Sequence, residues 1–382
     1  MDFIDGVRLG EVWDTMNALQ RLQCTEKLSR FVTELSKITF NGYGSLNYGQ
    51  YLEEGLASLS HDGTRCIGPH CGSRYWKCGV DETKLYGEDR GDHGPWKDLP
   101  AFVSGLYHTA LVRVPQRTPP GTPAWRGDGE EILRLLQHCG TVMQTMVKDP
   151  RIQAAASPVL YHPDFDMKNI FVSREEPTNV LAVIDWQGAS IEPAFMFASD
   201  NPDFASIPPI TPYTSKDAQE KAQFTKELER CSICAQAYDV IMKLSGERLR
   251  SARELPEAIT RLFRICLIPW TAGATAIRAE LIGLHRDWSE LGFQGQCPYT
   301  PTEAEVRTHE SLFEELETAQ TVRTMVMQML GTNADGYVPN GRLEAARKDL
   351  PTVIEWWVQA CEQANEGITE EEARTKFPFD GK

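Results

Sequence analysis

The chain has 382 residues, of which 41% are hydrophobic and 24% are charged, enough for a substantial core and for more than one subregion. Its formal net charge of -15 repels phosphate backbones and anionic lipid headgroups, so we expect neither nucleic acid nor a membrane as a partner. The same acidic surplus favours cationic small molecules, although it is more often a feature that promotes solubility.

The chain also lacks the sequence features of secretion and membrane insertion. No apolar run approaches the ~18 residues of a membrane span. The first residues have neither the basic nor the apolar region of a secretory signal. Ten cysteines without such a signal indicate a reducing compartment and free thiols.

In chain order, the first predicted element is a short strand. Phe3-Ile4 followed by Asp5-Gly6 indicates the end of a strand that runs into a turn. Residues 21–38 then place six apolar side chains at helical spacing and predict an amphipathic helix, with Leu22, Leu28, Phe31, Val32, Leu35 and Ile38 on one face. From about 49 to 98 the periodicity is weak and Gly, Pro, Asp and Cys are frequent, which predicts an irregular insertion.

The remainder of the chain is predicted to be mostly helical around one hairpin. Helices are expected near 99–111 and 128–147, and two short apolar strands at Ile170–Val172 and Val180–Ile184. The later helices are expected near 216–243, 255–267, 272–291, 302–330 and 341–364. The charged end from Thr369 is expected to fray.

One constellation carries chemistry, in the stretch YHPDFDMKNIFV and the following VIDWQ. Its skeleton is His162-x-Asp164-x4-Asn169, then a hairpin, then Asp185 after an apolar strand. Phosphoryl transfer needs positioned metal ions and an oriented acceptor hydroxyl. Asp164 can accept or orient the hydroxyl proton, while Asn169 and Asp185 offer the oxygen ligands that suit Mg²⁺. A polar loop that only makes turns is the alternative for a lone His-x-Asp, and the further residues at compatible spacing argue against it.

These motifs resemble the catalytic loop and metal motif of the aminoglycoside phosphotransferase and choline kinase family, in particular its fungal branch related to altered inheritance of mitochondria protein 9. Further segments extend the resemblance over nearly the whole chain: GVRLGEVWD, NGYGSLNY, IGPHCG, GPW, AELIGLHRDWSELGFQGQCPYTP and TNADGYVPNGRLEAA. The resemblance implies an α/β (α+β), protein kinase-like fold, with a mostly helical C-terminal lobe and a small catalytic β-hairpin. It also implies ATP and Mg²⁺ as cofactors and a small-molecule acceptor of unknown identity.

Residue by residue, the resemblance gives the loop and strand residues distinct roles. Asp164 becomes the catalytic base or the carboxylate that orients the acceptor, and His162 its supporting histidine. Asn169 and Asp185 become the metal ligands.

Four further residues are candidates on the acceptor side. Asp166 stands where a histidine is expected in many relatives, so the acceptor site here can differ. Lys168 either neutralises a transferring phosphate or points into solvent. Trp356 and Trp357, beside a glutamate, either form the floor of a pocket for a cationic ligand or belong to a helical core.

A complete member of the family begins with a lobe of strands, a glycine-rich phosphate loop and a lysine held by a glutamate. The start of this chain resembles the hinge after that lobe, and no GxGxxG occurs in the sequence. We therefore expect the N-terminal lobe to be absent or nearly so. On this view residues 1–20 are a hinge remnant, and 21–382 form the C-terminal lobe with a helical substrate side near 216–365. Asp2, Phe3 and Ile4 are then candidates for contact with the nucleotide.

Two functions from different classes follow from this pattern. The first is ATP-dependent, Mg²⁺-assisted phosphorylation of a small-molecule hydroxyl, impaired in this chain because the covering lobe is missing. The second is a non-catalytic, pseudokinase-type binding or regulatory protein. The resemblance suggests the cytoplasm or the mitochondrion and argues against secretion, whereas the sequence does not specify the oligomeric state.

Two groups of cysteines are candidate metal sites. Cys66-x3-His70-Cys71-x6-Cys78 places four soft ligands in a loop-rich stretch, but its spacing differs from that of structural zinc sites. Free loop thiols are therefore favoured there. The pair formed by Cys231 and Cys234 lacks a second pair, so these thiols are expected in a helical core.

Overall fold

The computed structural model describes residues 3–51, 59–60, 64–75, 91–119, 121–207, 218–332, 336, 338, 340–364, 369–375 and 377. The chain is a mixed α/β protein, mostly helical with small sheets, and it divides into two compact units, Met1–Pro301 and Thr302–Lys382.

The helices in this described part lie at α1 Leu9–Val12, α2 Ala18–Ser36, α3 Leu99–Val112, α4 Gly129–Met146, α5 Pro150–Ala154, α6 Ala218–Ser245, α7 Glu247–Glu254, α8 Glu257–Ile265, α9 Pro269–Asp287, α10 Glu303–Leu330, α11 Leu343–Ala364 and α12 Glu370–Thr375. The strands are β1 Val7–Arg8, β2 Ser45–Tyr48, β3 Leu59–Ser60, β4 Arg65–Gly68, β5 Pro158–Tyr161, β6 Ile170–Val172, β7 Val180–Val183 and β8 Ser190–Pro193. None of these helices combines the length and hydropathy needed to cross a bilayer.

The first strand lies after the predicted turn rather than before it. The Gly6 N–H donates to the Ile4 carbonyl at 3.0 Å, and β1 then pairs antiparallel with β6, Val7 opposite Val172. The prediction of a strand ending at Ile4 is therefore wrong. Phe3 is 91% exposed, and the backbone becomes a strand only where a partner edge is available.

The predicted helix at 21–38 is confirmed as α2, which begins earlier because of its N-cap. The Asn17 side chain accepts from the Gln20 N–H, and the Gln20 side chain accepts from the Asn17 N–H, both at 3.0 Å. This capping box satisfies two otherwise unpaired amides and starts the helix at Ala18. The α2 helix packs mainly along α6.

The described residues form three small antiparallel sheets, and two of them flank the loop of residues 162–169. The hairpin predicted at 170–184 is confirmed, with Ile170 opposite Val183 in a sheet of order β1-β6-β7. A two-stranded antiparallel sheet pairs β5 with β8 across the intervening hairpin, and the sequence did not predict it. Within the described part of the region near 49–98, β3 and β4 join β2, so this insertion is more regular than predicted.

Helices form most of the core of the first unit. The helices predicted near 99–111 and 128–147 are confirmed as α3 and α4, and Leu106, Leu136, Phe263 and Leu281 are completely buried where α3, α4, α8 and α9 pack. Burial of each such side chain stabilises the fold by about 1.5–3 kcal/mol. The later predicted helices are also confirmed, with α7 as an additional one.

The second unit has its own small core, in which α10, α11 and α12 meet around Val326, Leu330 and Val353. The prediction that the chain frays from Thr369 is wrong for residues 370–375. The Thr369 hydroxyl accepts from the Glu372 N–H at 3.2 Å, which caps α12 despite its run of charges.

Candidate functional site

The residues of the predicted constellation lie in and around the Asp164 loop, residues 162–169, between β5 and β6. Backbone hydrogen bonds shape this loop: the Asp166 N–H donates to the Asp164 carbonyl, and the Asn169 N–H to the Asp166 carbonyl, both at 2.9 Å. A single 3₁₀ turn at Met167–Asn169 then leads into β6. The loop is thus a compact, internally bonded turn and not an extended connection.

His162 links the start of this loop to the end of β7. Its Nδ1 accepts from the Asp164 N–H at 3.1 Å, which leaves the proton on Nε2, and Nε2 donates to the Ile184 carbonyl at 2.9 Å. The ring is buried and contacts the edge of Trp186, with 4.7 Å between ring centroids. His162 therefore supports the loop in its neutral form, and both of its nitrogens are occupied by backbone.

Asp164 is held from two sides by side chains of its own loop. Its Oδ2 lies 2.9 Å from the Lys168 Nζ and accepts from the Asn169 Nδ2 at 2.8 Å. Burial raises the pKa of Asp164, but the Lys168 ammonium and the Asn169 amide outweigh burial and hold that pKa below its ordinary value. The carboxylate is therefore ionised at neutral pH, which suits orientation of a hydroxyl better than strong general base catalysis.

Asn169 presents its amide in a defined orientation. Its Nδ2 donates to both the carbonyl and the Oδ2 of Asp164, which can only accept, so the amide nitrogen must face Asp164. The Oδ1 atom is left without a hydrogen bond to any described residue. The Asn169 carbonyl accepts from the Ile184 N–H at 2.9 Å, which places Asn169 next to the residue that precedes Asp185.

Asp185 combines an unusual backbone conformation with an exposed side chain. Its φ of 64° is the only positive value at a non-glycine residue within the described ranges. Its side chain is exposed and makes no hydrogen bond or ion pair with a described residue. Asn169 and Asp185 thus offer an amide oxygen and a carboxylate, neither bonded to a described residue, at neighbouring strand ends. This set fits Mg²⁺, a cation that takes one or two protein ligands and keeps several waters.

No denser metal cluster occurs in the part of the chain that the structure describes: no group of three or more His, Cys, Asp or Glu side chains could hold an ion there. Of the suspected zinc ligands, Cys66 is buried and Cys71 exposed, both as free thiols, and Cys78 lies outside the described residues. The His70 ring is instead hydrogen-bonded to the Glu192 carboxylate through Nε2. The Cys231 and Cys234 thiols are also free, the second of them in the core.

Asp203 belongs to the site although the sequence analysis did not select it. Its Oδ1 accepts from the Met167 N–H at 2.9 Å, and its own N–H donates to the Asp166 Oδ1 at 3.3 Å. The pKa of Asp203 is raised to about 7, mainly because its carboxyl is desolvated between the loop and the segment before Phe204 and also because of Asp166, although the residue as a whole is exposed to solvent. Burial also raises the pKa of Asp166, and the Asp164 carboxylate adds to that rise.

A pocket of about 160 Å³ adjoins the loop, and its wall combines carboxylates with aromatic rings, among them Phe31, Tyr161, Asp164, Asp166 and Asp200. A larger cavity of about 420 Å³ lies between the end of α3 and the start of α4. The larger cavity touches no residue of the Asp164 loop, so the smaller one is the pocket that adjoins the candidate site.

A buried polar group fixes the segment that follows Asp185. The Glu192 carboxylate, 1% exposed, accepts hydrogen bonds from His70 Nε2 at 2.5 Å, Ser190 Oγ at 2.9 Å and Tyr75 Oη at 3.3 Å. The backbone of Ile191 exchanges two hydrogen bonds with Gly44. The described part of the insertion is therefore in direct contact with β8, the strand that follows Asp185.

The remaining predicted residues lie apart from these contacts or outside the described part. Asp2 is outside it, whereas Phe3 is exposed and Ile4 half-buried before β1. Trp356 and Trp357 belong to α11 of the second unit and pack against its core. The Trp357 Nε1–H donates to the Ala373 carbonyl at 2.8 Å.

Comparison with known proteins gives distant relatives. No family model matches the chain, and no solved structure matches it. It is 24% identical over 204 residues to the subtelomeric hrmA-associated cluster protein of Aspergillus fumigatus, covering 50% of this chain and 40% of that protein. It is 24% identical over 266 residues to altered inheritance of mitochondria protein 9, mitochondrial, of Saccharomyces cerevisiae, covering 58% of this chain and 41% of that protein. The chain therefore matches about two fifths of the length of these relatives and is distantly homologous to them.

Proposed function

We propose that this chain forms the half of a phosphotransferase site that orients the acceptor and binds the metal, for ATP-dependent, Mg²⁺-assisted phosphorylation of a small-molecule hydroxyl. One observation carries the proposal. Asp164 is hydrogen-bonded to Asn169, and the Asn169 backbone pairs with Ile184, the residue before Asp185, whose carboxylate has no partner among the described residues. Transfer of a phosphoryl group requires positioning and charge stabilisation more than covalent chemistry, and these groups supply both.

In this mechanism the Asp164 carboxylate accepts a hydrogen bond from the acceptor hydroxyl and so orients the oxygen of that hydroxyl. The backbone bond to His162 and the two bonds from Asn169 hold the Asp164 loop in place for this task. Magnesium, when bound, neutralises phosphate charge. Asn169 and Asp185 would hold it through their free oxygens, and Lys168, about half exposed beside Asp164, can move toward the added negative charge.

The adjoining pocket provides room for the part of the acceptor that carries the hydroxyl. Its volume of about 160 Å³ accommodates a small group and is well below the size of a complete drug-like binding cavity. The Asp164, Asp166 and Asp200 carboxylates in its wall favour a cationic or hydroxyl-rich acceptor over an anionic one.

A specific contact favours the second candidate, a non-catalytic binding protein. The Lys168 ammonium already neutralises the Asp164 carboxylate in the structure, as expected of a site in which a salt bridge has replaced the acceptor. The two candidates share metal binding and differ in turnover.

The first experiment measures Mn²⁺ binding by electron paramagnetic resonance and Mg²⁺·ATP binding by calorimetry, on the wild type and on Asp185→Ala. Asp287→Ala is the matched control, because this aspartate pairs with Arg286 on the surface of the same unit. We expect Asp185→Ala to lose Mn²⁺ binding and the control to retain it. Equal binding by all three proteins would refute the metal site.

ATP hydrolysis then separates the two candidate functions. Hydrolysis above background that disappears in Asp164→Asn supports the phosphotransferase. Binding of metal and nucleotide without any turnover supports the binding protein instead.

A further inference from the structure

The segment from 198 to 205, which we call the clamp segment, connects the Asp164 loop to the helices of the first unit. On the loop side, Asp203 forms two hydrogen bonds in opposite directions. Its carboxylate accepts from the Met167 N–H at 2.9 Å, and its N–H donates to the Asp166 carboxylate at 3.3 Å. We call these two hydrogen bonds the bracket. Because Asp166 and Met167 lie between Asp164 and Asn169, the bracket holds the middle of the loop.

The next residue adds a packing contact to the bracket. Phe204 is buried, and its ring meets that of Phe165 edge to face with 5.7 Å between centroids. Phe204 also contacts Tyr238 of α6, at 6.1 Å. The clamp segment therefore contacts both the backbone and a side chain of the loop, and Phe204 connects these contacts to α6.

On the helical side, two arginines anchor the clamp segment. Arg253 of α7 donates to the Ala198 carbonyl and, at 3.1 Å, to the Asn201 side chain. The Arg264 guanidinium of α8 donates to the Asp200 carboxylate at 2.6 Å. These charged contacts fix the segment before it reaches Asp203, so the position of Asp203 is set by the helices and not by the loop.

We infer that Asp203 is a positioning residue, which holds Asp164 and Asn169 in the geometry that the proposed function requires. This role rests on the proposed function, whereas the two hydrogen bonds of Asp203 to the loop are present in the chain without any ligand. Asp203 acts through Asp166 and Met167 and contacts neither metal ligand in the described structure. An asparagine at 203 keeps an oxygen that can accept from the Met167 N–H, whereas an alanine leaves that amide without its side-chain acceptor.

The test uses the full chain with Asp203→Ala and Asp203→Asn. Asp128→Ala is the matched control, because the Asp128 carboxylate accepts from the Glu131 N–H at 2.8 Å and caps a helix away from the loop. Two quantities are measured: hydrogen exchange in peptides covering 165–170, and the dissociation constant for Mn²⁺. Loss of one hydrogen bond corresponds to roughly a tenfold change in a local opening equilibrium.

We expect Asp203→Ala to speed exchange in these peptides about tenfold and to weaken Mn²⁺ binding about tenfold. Asp203→Asn and Asp128→Ala should stay near the wild type in both measurements. Faster exchange with unchanged Mn²⁺ affinity would overturn the inference while leaving the proposed function standing. If the wild type binds no Mn²⁺, the proposed function fails and the positioning role fails with it. Unchanged exchange in Asp203→Ala, in a wild type that binds Mn²⁺, refutes the positioning role alone.

Discussion

Replacing His70 with alanine tests how the segment that follows Asp185 is held. The side chains of His70 and Glu192 are each only 2% exposed, and their Nε2 and Oε1 atoms lie 2.5 Å apart. The Gly72 N–H donates to His70 Nδ1 at 3.0 Å, so the ring carries its proton on Nε2 and donates it to Glu192. In His70→Ala the buried carboxylate loses this donor and keeps only Ser190 and Tyr75.

The expected cost follows from the burial of the carboxylate. Removing a hydrogen-bond donor from a buried carboxylate destabilises a protein by about 3 kcal/mol, because the charge stays buried with one compensating bond fewer. Glu192→Gln should cost less, about 1–2 kcal/mol, since it removes charge assistance but leaves an oxygen for the donors of His70 and Ser190. The Tyr75 hydroxyl can rotate to accept from the new amide.

The assay is urea unfolding followed by tryptophan fluorescence, where Trp96 lies 6.2 Å from the His70 ring and 5.6 Å from Tyr75. His108→Ala, at an exposed position of α3, is the control and should change the free energy of unfolding by less than about 0.5 kcal/mol. The double variant with Glu192→Gln should cost less than the sum of the single variants, because it leaves no buried charge. A smaller cost for His70→Ala than for Glu192→Gln, or strict additivity, would refute the reasoning.

Three further predictions concern stability. Arg253→Ala should lower the free energy of unfolding by about 2–3 kcal/mol in urea melts, because a side chain only 7% exposed loses three partners. Gly273→Ala should lower the free energy of unfolding by about 1–3 kcal/mol, since φ is 81° there and a Cβ would lie 2.8 Å from the Arg126 Cα. Gly283→Ala is the control within the same helix: a Cβ there meets no atom within 4 Å, so alanine should raise the free energy of unfolding by about 0.5–1 kcal/mol. The pKa of Asp203 is higher in the folded chain than in the unfolded chain, so the free energy of unfolding should fall as pH rises from about 3.8 to about 7. The fall should be smaller in Asp203→Asn. Urea unfolding at pH 5 and at pH 8 measures it.

Each of these predictions has an outcome that contradicts it. Arg286→Ala removes an exposed surface ion pair and should leave the free energy of unfolding almost unchanged. If Arg253→Ala changes it equally little, burial of the Arg253 side chain adds nothing to stability. Equal effects of alanine at 273 and 283 would show that the backbone at 273 relaxes freely. Identical pH slopes for the wild type and Asp203→Asn would show that this carboxyl titrates normally in the folded chain.

The hairpin next to Asn169 and Asp185 could be predicted from the sequence because its determinants are local. Two short apolar runs with a turn between them define β6 and β7, and antiparallel pairing then brings Asn169 beside the residue before Asp185. The long helices were predictable for the same reason, since the spacing of apolar side chains reports a buried face directly.

The rest depends on contacts between distant parts of the chain. Asp203 follows Met167 by 36 residues, and no spacing rule connects them. The strand β8 was missed because Ser190–Pro193 is buried on both faces and includes a glutamate, a pattern that only the donors of His70 and Tyr75 explain. The strand β4 lies in a Gly- and Cys-rich stretch, where pairing with β2 outweighs weak local propensity.

The left-handed backbone of Asp185 restricts which residues can replace it over evolutionary time. Glycine adopts this conformation freely, and asparagine and aspartate tolerate it, whereas alanine or a β-branched residue pays roughly 1–2 kcal/mol. A lineage that no longer needed a carboxylate here would therefore drift toward glycine or asparagine, even without selection on ligand binding. Alignments of relatives that have lost metal binding should show those two residues at this position, with valine, isoleucine and threonine depleted.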